Sequence, residues 1–401
     1  MGKDLYGREL GPGFGQRKNG QYYARFENRF GTRQTIYSAD LQELRDKYNT
    51  AVYENKKKMN VVDDGTTLDD FFEIWIKVYK YKIIRENTRQ GYQTVYRKHI
   101  SPVLGKRTLM EITSLMVRAL INNLDKQGYG YETRNRVRIM LLDMFDKALT
   151  DGFVNRNPLK GIKLVRDEQK EIRVLTREEQ VDFFECAAGT FYYNLFVTAV
   201  ETGLRPGELY ALTPEDIHFE KKEIRVNKTL VYQKFEGDRG KEYHLGPPKT
   251  KSSNRTVPIT ERCGDALRKQ IRQRQIILNK PNITPIKGFE NLLFLSTLGT
   301  PLNATTYSDA IGRIVDTINL MKDPLEQMEK FSGHCFRHTF ATRCFEAGIN
   351  PKTVQAYMGH ASLQMTMDLY THVTESFKQD EIEKLEREEN KVQYTGKLYA
   401  V

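Results

Sequence analysis

Two polar connectors divide the 401-residue chain into three segments, and this division constrains the fold more than any other feature of the sequence. The first is NVVDDGTT at residues 60–67, and the second is NPLKGIKLVRDEQKEIR, which holds a proline and few apolar residues. A chain of this length is too long for one ordinary domain, so each segment should bury its own core. The sequence predicts a multidomain α+β protein. Its predicted divisions are domains at 1–60, 68–160 and 176–378, linkers at 61–67 and 161–175, and a C-terminal helix and tail at 379–401.

The first segment alternates strand-forming residues with turn residues. It predicts strands over 21–27 and 33–38 and a shorter strand from about Phe14 to Lys18. A helix follows, with its cap at Ser38 or Asp40. One face of this small sheet can be cationic, and a ribbon this narrow can enter the major groove of DNA. The basic residues among its aromatic ones are Arg17, Lys18, Arg25, Arg29 and Arg33.

Helical spacing dominates the second segment. The stretch TLDDFFEIWIKVYKY begins with Thr67 as a helix cap and repeats apolar residues at helical intervals. Three more helices are predicted from NTRQGYQTVYRKHI, TSLMVRALINNLDKQG and YETRNRVRIMLLDMFDKALTDG. This four-helix unit should place its basic residues on polar sides, where they can contact phosphates. Those residues are Arg89, Arg97, Lys98, Arg134, Arg136 and Arg138.

The third segment opens on helices and continues into strands. Thr176 and Glu179 form a predicted capping box, and the following helix, FYYNLFVTAVETG, is apolar nearly all round and should be buried. That helix ends on Gly203, and LRPGELYAL begins another with Pro206 in its first turn, so Arg205 lies at a helix junction. Strands are predicted over 222–233 and 252–260, separated by a loop.

The basic excess of the chain lies entirely in its first 165 residues. The formal net charge is +11, with 12 Lys/Arg against 7 Asp/Glu in residues 1–60 and 18 against 12 in residues 61–165. The remaining 236 residues balance at 33 of each sign. This distribution is typical of a protein that follows a polyanion along its length, although a merely solvated basic surface has the same composition.

The composition predicts a cytoplasmic protein that does not enter membranes. No apolar run approaches the roughly 18 residues needed to span a bilayer, and the first ten residues lack the apolar core of a signal peptide. The four cysteines show neither CxxC pairing nor framework spacing, so we expect reduced thiols.

The segment HCFRHTFATR, residues 334–343, holds two of the seven histidines within five positions and no acid to neutralise them. It follows TGLRPGEL and PPKTKSSNRTVPI and precedes GHASLQMTMDLYTHV. In residue type, order and spacing, these stretches closely resemble the signature segments of the tyrosine recombinases, also called phage-type integrases. The resemblance covers roughly residues 170–376, and the helical segment more loosely. The first segment resembles the arm-binding domains of conjugative-transposon integrases.

The resemblance implies an active site of named residues. The Arg of the T-G-x-R-x-x-E context falls on Arg205, with Glu208 as its acidic neighbour. The strand-turn Lys falls on Lys249, although Lys251 has the same chemistry two residues later. His338 and Arg343 are expected to support the fold or the phosphate pocket indirectly. The implied catalytic set is Arg205, Lys249, His334, Arg337, His360 and Tyr370.

The chemistry of metal-free phosphodiester cleavage explains these residue types. Arg205 and Arg337 can supply charged forks to the phosphate oxygens in the transition state. Tyr370 is the expected nucleophile and His334 its proton acceptor. Lys249 is the expected acid for the leaving 5′ oxygen, and His360 a second donor to the phosphate. The phosphate itself then supplies the missing negative charge.

The resemblance implies a site-specific DNA recombinase, the integrase or excision enzyme of a mobile element, acting through a 3′-phosphotyrosyl bond and a Holliday junction. Its expected parts are an arm-binding domain of three strands and a helix, a four-helix core-binding domain, and a mainly α catalytic domain with a small antiparallel sheet. We expect no cofactor, since the sequence has neither a GxxxxGK[ST] loop nor clustered acids for Mg²⁺. A zinc site at His334, Cys335 and His338 would lack a second ligand pair at the usual spacing.

Two other functions fit part of the sequence. A type IB topoisomerase would use the same tyrosine chemistry, but the separate basic sheet segment argues against it. A silent architectural DNA-binding protein would have no need for all six active-site residues.

The implied partners are double-stranded DNA at attachment or element-end sites and three further copies of the chain on paired sites. An excisionase and a host DNA-bending protein are further candidates. The C-terminal tail, KVQYTGKLYAV, predicts a strand that pairs within its own protomer or crosses to a neighbouring one.

Overall fold

The computed structural model describes residues 2–27, 33–56, 65–166, 172–248 and 251–369. The chain forms two compact units, Met1–Gln169 and Lys170–Val401. Across the described ranges, no helix is long and apolar enough to cross a membrane. The predicted tail at 379–401 lies outside the described residues, and so do Arg29, Lys249 and Tyr370.

A small antiparallel sheet packs on one helix at the start of the first unit. Ala24 and Leu44 are fully buried between them, and Phe14 lies 4.7 Å from Tyr48, measured between ring centroids. Strands β3, β4 and β5 form this sheet in that order, and β1 pairs with β2 in a hairpin that the sequence did not predict. The elements are β1 Gly2–Lys3, β2 Glu9–Gly11, β3 Phe14–Gln16, β4 Tyr22–Glu27, β5 Arg33–Ser38 and α1 Leu41–Lys56.

Four helices follow in the first unit and cover the four predicted helical stretches. Thr67 and Asp70 form a capping box at the first of them. The core is aromatic, with Phe72 stacked on Tyr96 at 3.7 Å. The helices are α2 Leu68–Ile74, α3 Glu86–Val95, α4 Ser114–Lys126 and α5 Tyr131–Asp151, and the first two continue into π-helical segments at Trp75–Tyr79 and Tyr96–Gly105.

The second unit is built mainly of helices around α7, which is buried nearly all round as its sequence predicts. Aromatic rings from three helices meet there, with Phe183 lying 5.2 Å from Phe196 and 5.3 Å from Phe336. The predicted capping box of Thr176 and Glu179 is present. The helices are α6 Arg177–Ala187, α7 Tyr193–Thr202, α8 Pro206–Tyr210, α9 Glu261–Leu278, α10 Ala304–Asn319, α11 Gly333–Glu346 and α12 Pro351–Met358. Short 3-10 turns lie at Pro214–Asp216 and Lys251–Ser253.

The strands of the second unit form two antiparallel sheets, ordered β10-β7-β6 and β8-β9. The strand predicted over 222–233 is interrupted at Asn227-Lys228, because its two halves join different sheets. The predicted loop that follows contains β9, which is held by pairing of Tyr243 with Tyr232 and by the Tyr243 hydroxyl, which donates to the Pro301 carbonyl at 2.9 Å. The strands are β6 Ile217–His218, β7 Glu223–Val226, β8 Thr229–Gln233, β9 Glu242–Gly246 and β10 Arg255–Pro258.

Candidate active site

Arg205 occupies a break between two helices. Helix α7 ends at Gly203 in the left-handed conformation, φ +60°, and α8 begins at Pro206. The extended backbone of Arg205 (ψ 145°) therefore belongs to neither helix, and its side chain is 33% exposed. Its guanidinium donates to Glu208 Oε1 at 2.9 Å and to the Gly359 carbonyl at 3.1 Å. The described residues supply no acceptor for the other N–H groups of this fork, which can therefore bind a ligand.

Arg337 lies on the buried side of α11 and is only 3% exposed. It donates to the carbonyl of Gly203 at 2.6 Å and to that of Met358. Burial, followed by the positive charge of Arg205, lowers the pKa of Arg337 to about 9. A cation buried beside other cations is stabilised by an incoming anion, so this position favours a phosphate.

One buried carboxylate balances part of this charge. Glu208 is 3% exposed and lies between Arg205 and Arg255, with its Oε2 accepting from Arg255 Nη2 at 3.0 Å. Burial alone would raise the pKa of Glu208, but Arg255 and then Arg205 outweigh it and hold the pKa below its usual value. Glu208 is therefore an anion shared by two arginines.

The C-terminal turn of α12 binds three arginines through consecutive carbonyls. The carbonyls of Tyr357, Met358 and Gly359 accept from Arg255, Arg337 and Arg205 respectively. The end of a helix carries unpaired carbonyls and a partial negative charge, so it is a natural site for guanidinium groups. The turn immediately precedes His360, which is thus tied to the same cluster.

Two predicted histidines lie beside this cluster. His334 is in the first turn of α11 and is exposed, yet partial desolvation, followed by the charges of Arg337 and Arg205, lowers its pKa. His360 is 7% exposed, and its Nδ1 lies 2.9 Å from Thr366 Oγ1. Burial and then the charge of Arg337 lower the pKa of His360 to about 4. Both rings are therefore neutral near pH 7, His334 able to accept a proton and His360 able to offer one nitrogen to a ligand.

The two residues expected to act indirectly differ in their contacts. Arg343 joins α11 to α6, since it donates to Gln180 and to the Leu175 carbonyl at 2.8 Å. His338 has a buried Nδ1 with no hydrogen-bond partner in the described part of the chain. Burial, followed by the charges of His334 and Arg337, lowers the pKa of His338 to about 4. No metal-binding group of three or more His, Cys, Asp or Glu occurs among the described residues.

Lys249 and Tyr370 lie outside the described residues, as does the side chain of Lys251, but their neighbours in sequence are described. Ser253 is buried, and its carbonyl accepts from Arg255 at 3.2 Å. Leu369, directly before Tyr370, is buried in an apolar cluster with Phe345 and Met358. Both flanking segments thus pack near the arginine cluster.

The residues predicted to contact DNA are mostly exposed. Arg17 lies over the ring of Tyr37 at 4.3 Å and Arg25 over that of Tyr23 at 4.8 Å. Arg89 and Arg138 are half-buried, the first 3.6 Å from Glu86 and the second bonded to Asn135. The exposed members are Arg17, Lys18, Arg25, Arg33, Arg97, Lys98 and Arg136.

The predicted position of Arg134 on an exposed polar side is wrong. Its side chain is 9% exposed and its guanidinium lies 2.9 Å from Asp125 Oδ1, so it links α5 to the end of α4. The helical period brings position 134 onto the same side as the buried Val137 and Leu141. Asp125 supplies the charge that this buried arginine needs.

Sequence reasoning missed Arg255, the turn at 357–359 and Thr366. A signal for Arg255 exists: residues two apart on a strand share a face, and Val257 is fully buried, so Arg255 points inward. The turn carries a weaker signal, Gly359, whose φ of +60° favours glycine.

Two family models match the chain. The model described as phage integrase family matches residues 173–376, slightly more than half of the chain. The model described as phage integrase, N-terminal SAM-like domain, matches residues 67–124, which include α2, α3 and most of α4. The first match spans every described residue of the arginine and histidine cluster.

Full-length relatives and a solved structure agree with these matches. The transposase from transposon Tn916 of Enterococcus faecalis is 28% identical, over 96% of this chain and 97% of its own length. A tyrosine recombinase XerC-like protein of Caldanaerobacter subterraneus subsp. tengcongensis is 30% identical, over 92% of this chain and 97% of its own. A fragment of the Tn1549 transposon integrase, solved in complex with a circular intermediate DNA, is 28% identical to this chain with a TM-score of 0.67. The match covers 80% of this chain and 99% of the fragment.

Proposed function

The chain belongs to the phage integrase family, the tyrosine-type site-specific recombinases, and from that premise we propose that it is the integrase of a conjugative-transposon-like mobile element. Enzymes of this family cleave and rejoin DNA through a 3′-phosphotyrosyl intermediate and a Holliday junction, with neither metal nor ATP. Relatives from transposons, matched over nearly their whole length, support the kind of element.

The observation that carries the proposal is a pair of arginines with incomplete charge compensation beside neutral histidines. Among the described residues of the cluster, Glu208 is the one buried carboxylate. It is paired with Arg205 and Arg255 and acts on Arg337 through its charge, so these three arginines carry a net positive charge before any substrate binds. A scissile phosphate supplies the missing anion, and its charge grows in the pentacoordinate transition state. The uncompensated positive charge of the cluster thus favours both the binding of the phosphate and its transition state.

Each catalytic group has one proton or charge to handle. The Tyr370 oxygen attacks phosphorus as its proton passes to His334, whose lowered pKa keeps it a free base near neutral pH. The bond from phosphorus to the 5′ oxygen breaks, and Lys249 protonates that oxygen, with Lys251 as the alternative donor. His360 donates through Nε2 to a non-bridging oxygen, because Nδ1 is engaged by Thr366. The phosphotyrosyl bond retains the energy of the broken linkage, so the reverse steps reseal the strand.

The basic excess of the first 165 residues serves DNA binding in this proposal. The sheet of residues 1–60 is an arm-binding domain whose exposed Arg17, Lys18, Arg25 and Arg33 contact DNA. The helical domain of residues 68–160 holds the core site through Arg97, Lys98, Arg89 and Arg138. The catalytic domain of residues 176–378 then cleaves this double-stranded DNA, in the cytoplasm.

The working assembly in this proposal is a homotetramer on two paired DNA sites. Strand exchange through a Holliday junction needs four cleavages, one for each strand, and each copy of the chain provides one tyrosine. An excisionase and a host DNA-bending protein complete the set of proposed partners.

The test is incubation of the protein with two matched duplexes that carry the joined ends of its element. We expect recombinant products with the natural protein and none with Tyr370→Phe, which should still bind DNA. Relaxation of supercoiled DNA without recombinants would favour a type IB topoisomerase instead. Binding with neither reaction would leave an architectural protein and overturn the proposal.

A further inference from the structure

Arg255 is the third arginine of the cluster, and no step of the proposed cleavage reaction uses it. It is nearly buried, with a side chain 6% exposed, at the start of β10. Its Nη1 donates to Glu208 Oε1 and to the Ser253 carbonyl, both at 3.2 Å, and its Nη2 donates to Glu208 Oε2 at 3.0 Å. Nε donates to the Tyr357 carbonyl. Its fork is therefore occupied by the protein, unlike that of Arg205.

The two hydrogen bonds from Arg255 to Glu208 determine how strongly Glu208 holds Arg205. Glu208 bonds to both arginines, but only Arg205 is partly exposed, at 33% against 6% for Arg255. A buried carboxylate must be neutralised, and a two-bonded guanidinium is its strongest partner. Without Arg255, Glu208 would depend on Arg205 alone and would compete with the phosphate for it.

Arg255 also fixes the turn that carries His360. Its bond to Tyr357 lies beside the bonds of Arg337 and Arg205 to the next two carbonyls. The turn packs so closely that a Cβ on Gly359 would lie 3.1 Å from Arg255 Cδ and 3.0 Å from the Ser252 carbonyl oxygen. Loss of the Arg255 side chain would free the turn on that side.

We propose that Arg255 is a positioning residue for the cleavage reaction. It neutralises Glu208, so that the charge of Arg205 stays available to the scissile phosphate. This inference rests on the proposed function, since it assumes that Arg205 acts on a phosphate. Arg255 itself does not touch the reacting atoms.

The test compares a normal scissile phosphate with a methylphosphonate, which carries no negative charge, in Arg255→Met and in the natural protein. If Glu208 competes for Arg205 in the variant, the rate of adduct formation should fall more on the charged phosphate than on the uncharged methylphosphonate. We expect adduct formation on the phosphate to fall by about a hundredfold and on the methylphosphonate by about tenfold or less, in line with the loss of one transition-state donor. Arg268→Met, which removes an exposed arginine paired with Asp265 at 2.8 Å, should change neither rate.

Two further variants keep the test decisive if Arg255→Met folds poorly. Arg255→Lys keeps the positive charge, so its preference for phosphate over methylphosphonate should match that of the natural protein, even at a lower rate. Arg255→Met combined with Glu208→Gln removes the competing carboxylate and should recover about tenfold of the phosphate rate.

Equal losses on both substrates, or no recovery in the double variant, would overturn the role proposed for Arg255 and leave a purely structural one. The proposed function fails differently, because the natural protein would then form no covalent adduct on the phosphate substrate.

Discussion

Contacts of individual side chains in the site fix their protonation state and their orientation. The His360 ring is neutral because it is buried beside Arg337, and Thr366 occupies its Nδ1. When the threonine hydroxyl donates to Nδ1, the proton of the neutral ring is on Nε2, the nitrogen free for a ligand. Thr366, itself fully buried, thus holds the ring with Nε2 free for a ligand, and we expect the tautomer in which Nε2 donates to the phosphate.

Thr366→Ala should slow cleavage while leaving DNA binding nearly unchanged. Loss of the hydroxyl frees the His360 ring to rotate or change tautomer, and we expect about a tenfold fall in the single-turnover rate of adduct formation. Thr366→Ser keeps the hydroxyl and should stay within about twofold of the natural rate. An equal loss in both variants would show that the methyl group, through packing, is what matters.

The stability of the free protein should fall as the solution becomes mildly acidic. His338 and His360 have pKa values lowered to about 4, whereas an unfolded chain takes up protons on histidine near pH 6.5. The unfolded state therefore binds more protons below pH 6.5, and stability is lost as pH falls from there towards 4. We expect a cost on the order of 1 kcal/mol per histidine at pH 5.5, measured by urea unfolding. His338→Gln should make this pH dependence shallower, and an unchanged dependence would contradict its assignment.

At the scale of helices and strands, two left-handed glycines align the site. Gly203 ends α7 and gives its carbonyl to Arg337, while Gly359 ends α12 and gives its carbonyl to Arg205. Each helix end thus serves as an arginine acceptor. The site depends on where these helices stop as much as on which side chains they carry.

Gly203→Ala should destabilise the protein and weaken cleavage together. The left-handed φ of +60° disfavours a side chain, and a Cβ there would lie 2.4 Å from Phe340 Cδ1 and 3.1 Å from Met358 Sδ. We expect a loss of about 2–4 kcal/mol in the free energy of unfolding, from backbone strain plus overpacking. Gly189→Ala is the matched control, since its φ is +76° and nothing lies within 4 Å of the added Cβ. It should cost only about 1 kcal/mol, and an equal cost at both positions would rule out the packing argument.

Local sequence signals predicted the elements that local chemistry controls. The Thr176 capping box, the end of α7 at Gly203 and the start of α8 at Pro206 each depend on residues within one turn. Strand β9 was missed because its pairing with β8 and its anchor at Pro301 are distant in sequence. Helical and strand periods indicate the buried sides of Arg134 and Arg255, but their charge partners, Asp125 and Glu208, lie on other elements and could not be predicted locally. The site residues came from motif resemblance, and the contacts that compensate their charges could come only from the structure.

In the whole molecule, the excess of basic residues and the proposed catalytic residues occupy different parts of the chain. The net +11 lies in residues 1–165, while every proposed catalytic residue follows residue 200. If the proposed division into arm-binding, core-binding and catalytic domains holds, deletion should separate these activities.

Deletion of residues 1–62 should leave cleavage of an isolated core site intact but lower affinity for longer DNA that carries the inner sites of the element. The deleted segment contains Arg17, Lys18, Arg25 and Arg33, so the affinity should also depend less steeply on salt, by about one unit of log slope for each phosphate that these residues neutralise. Binding to both DNA lengths across a salt series measures this. Loss of all core-site cleavage would contradict a modular arrangement.

In the proposed function, Tyr370 attacks a DNA phosphate that is bound by the arginine cluster. The most direct measurement traps the protein on a suicide duplex from the element's ends, digests the adduct and identifies by mass spectrometry the residue that carries the nucleotide. We expect a 3′-phosphotyrosyl bond at Tyr370, absent in Tyr370→Phe. An adduct at any other residue, or none with the natural protein on a DNA that it binds, would show that Tyr370 is not the nucleophile proposed here.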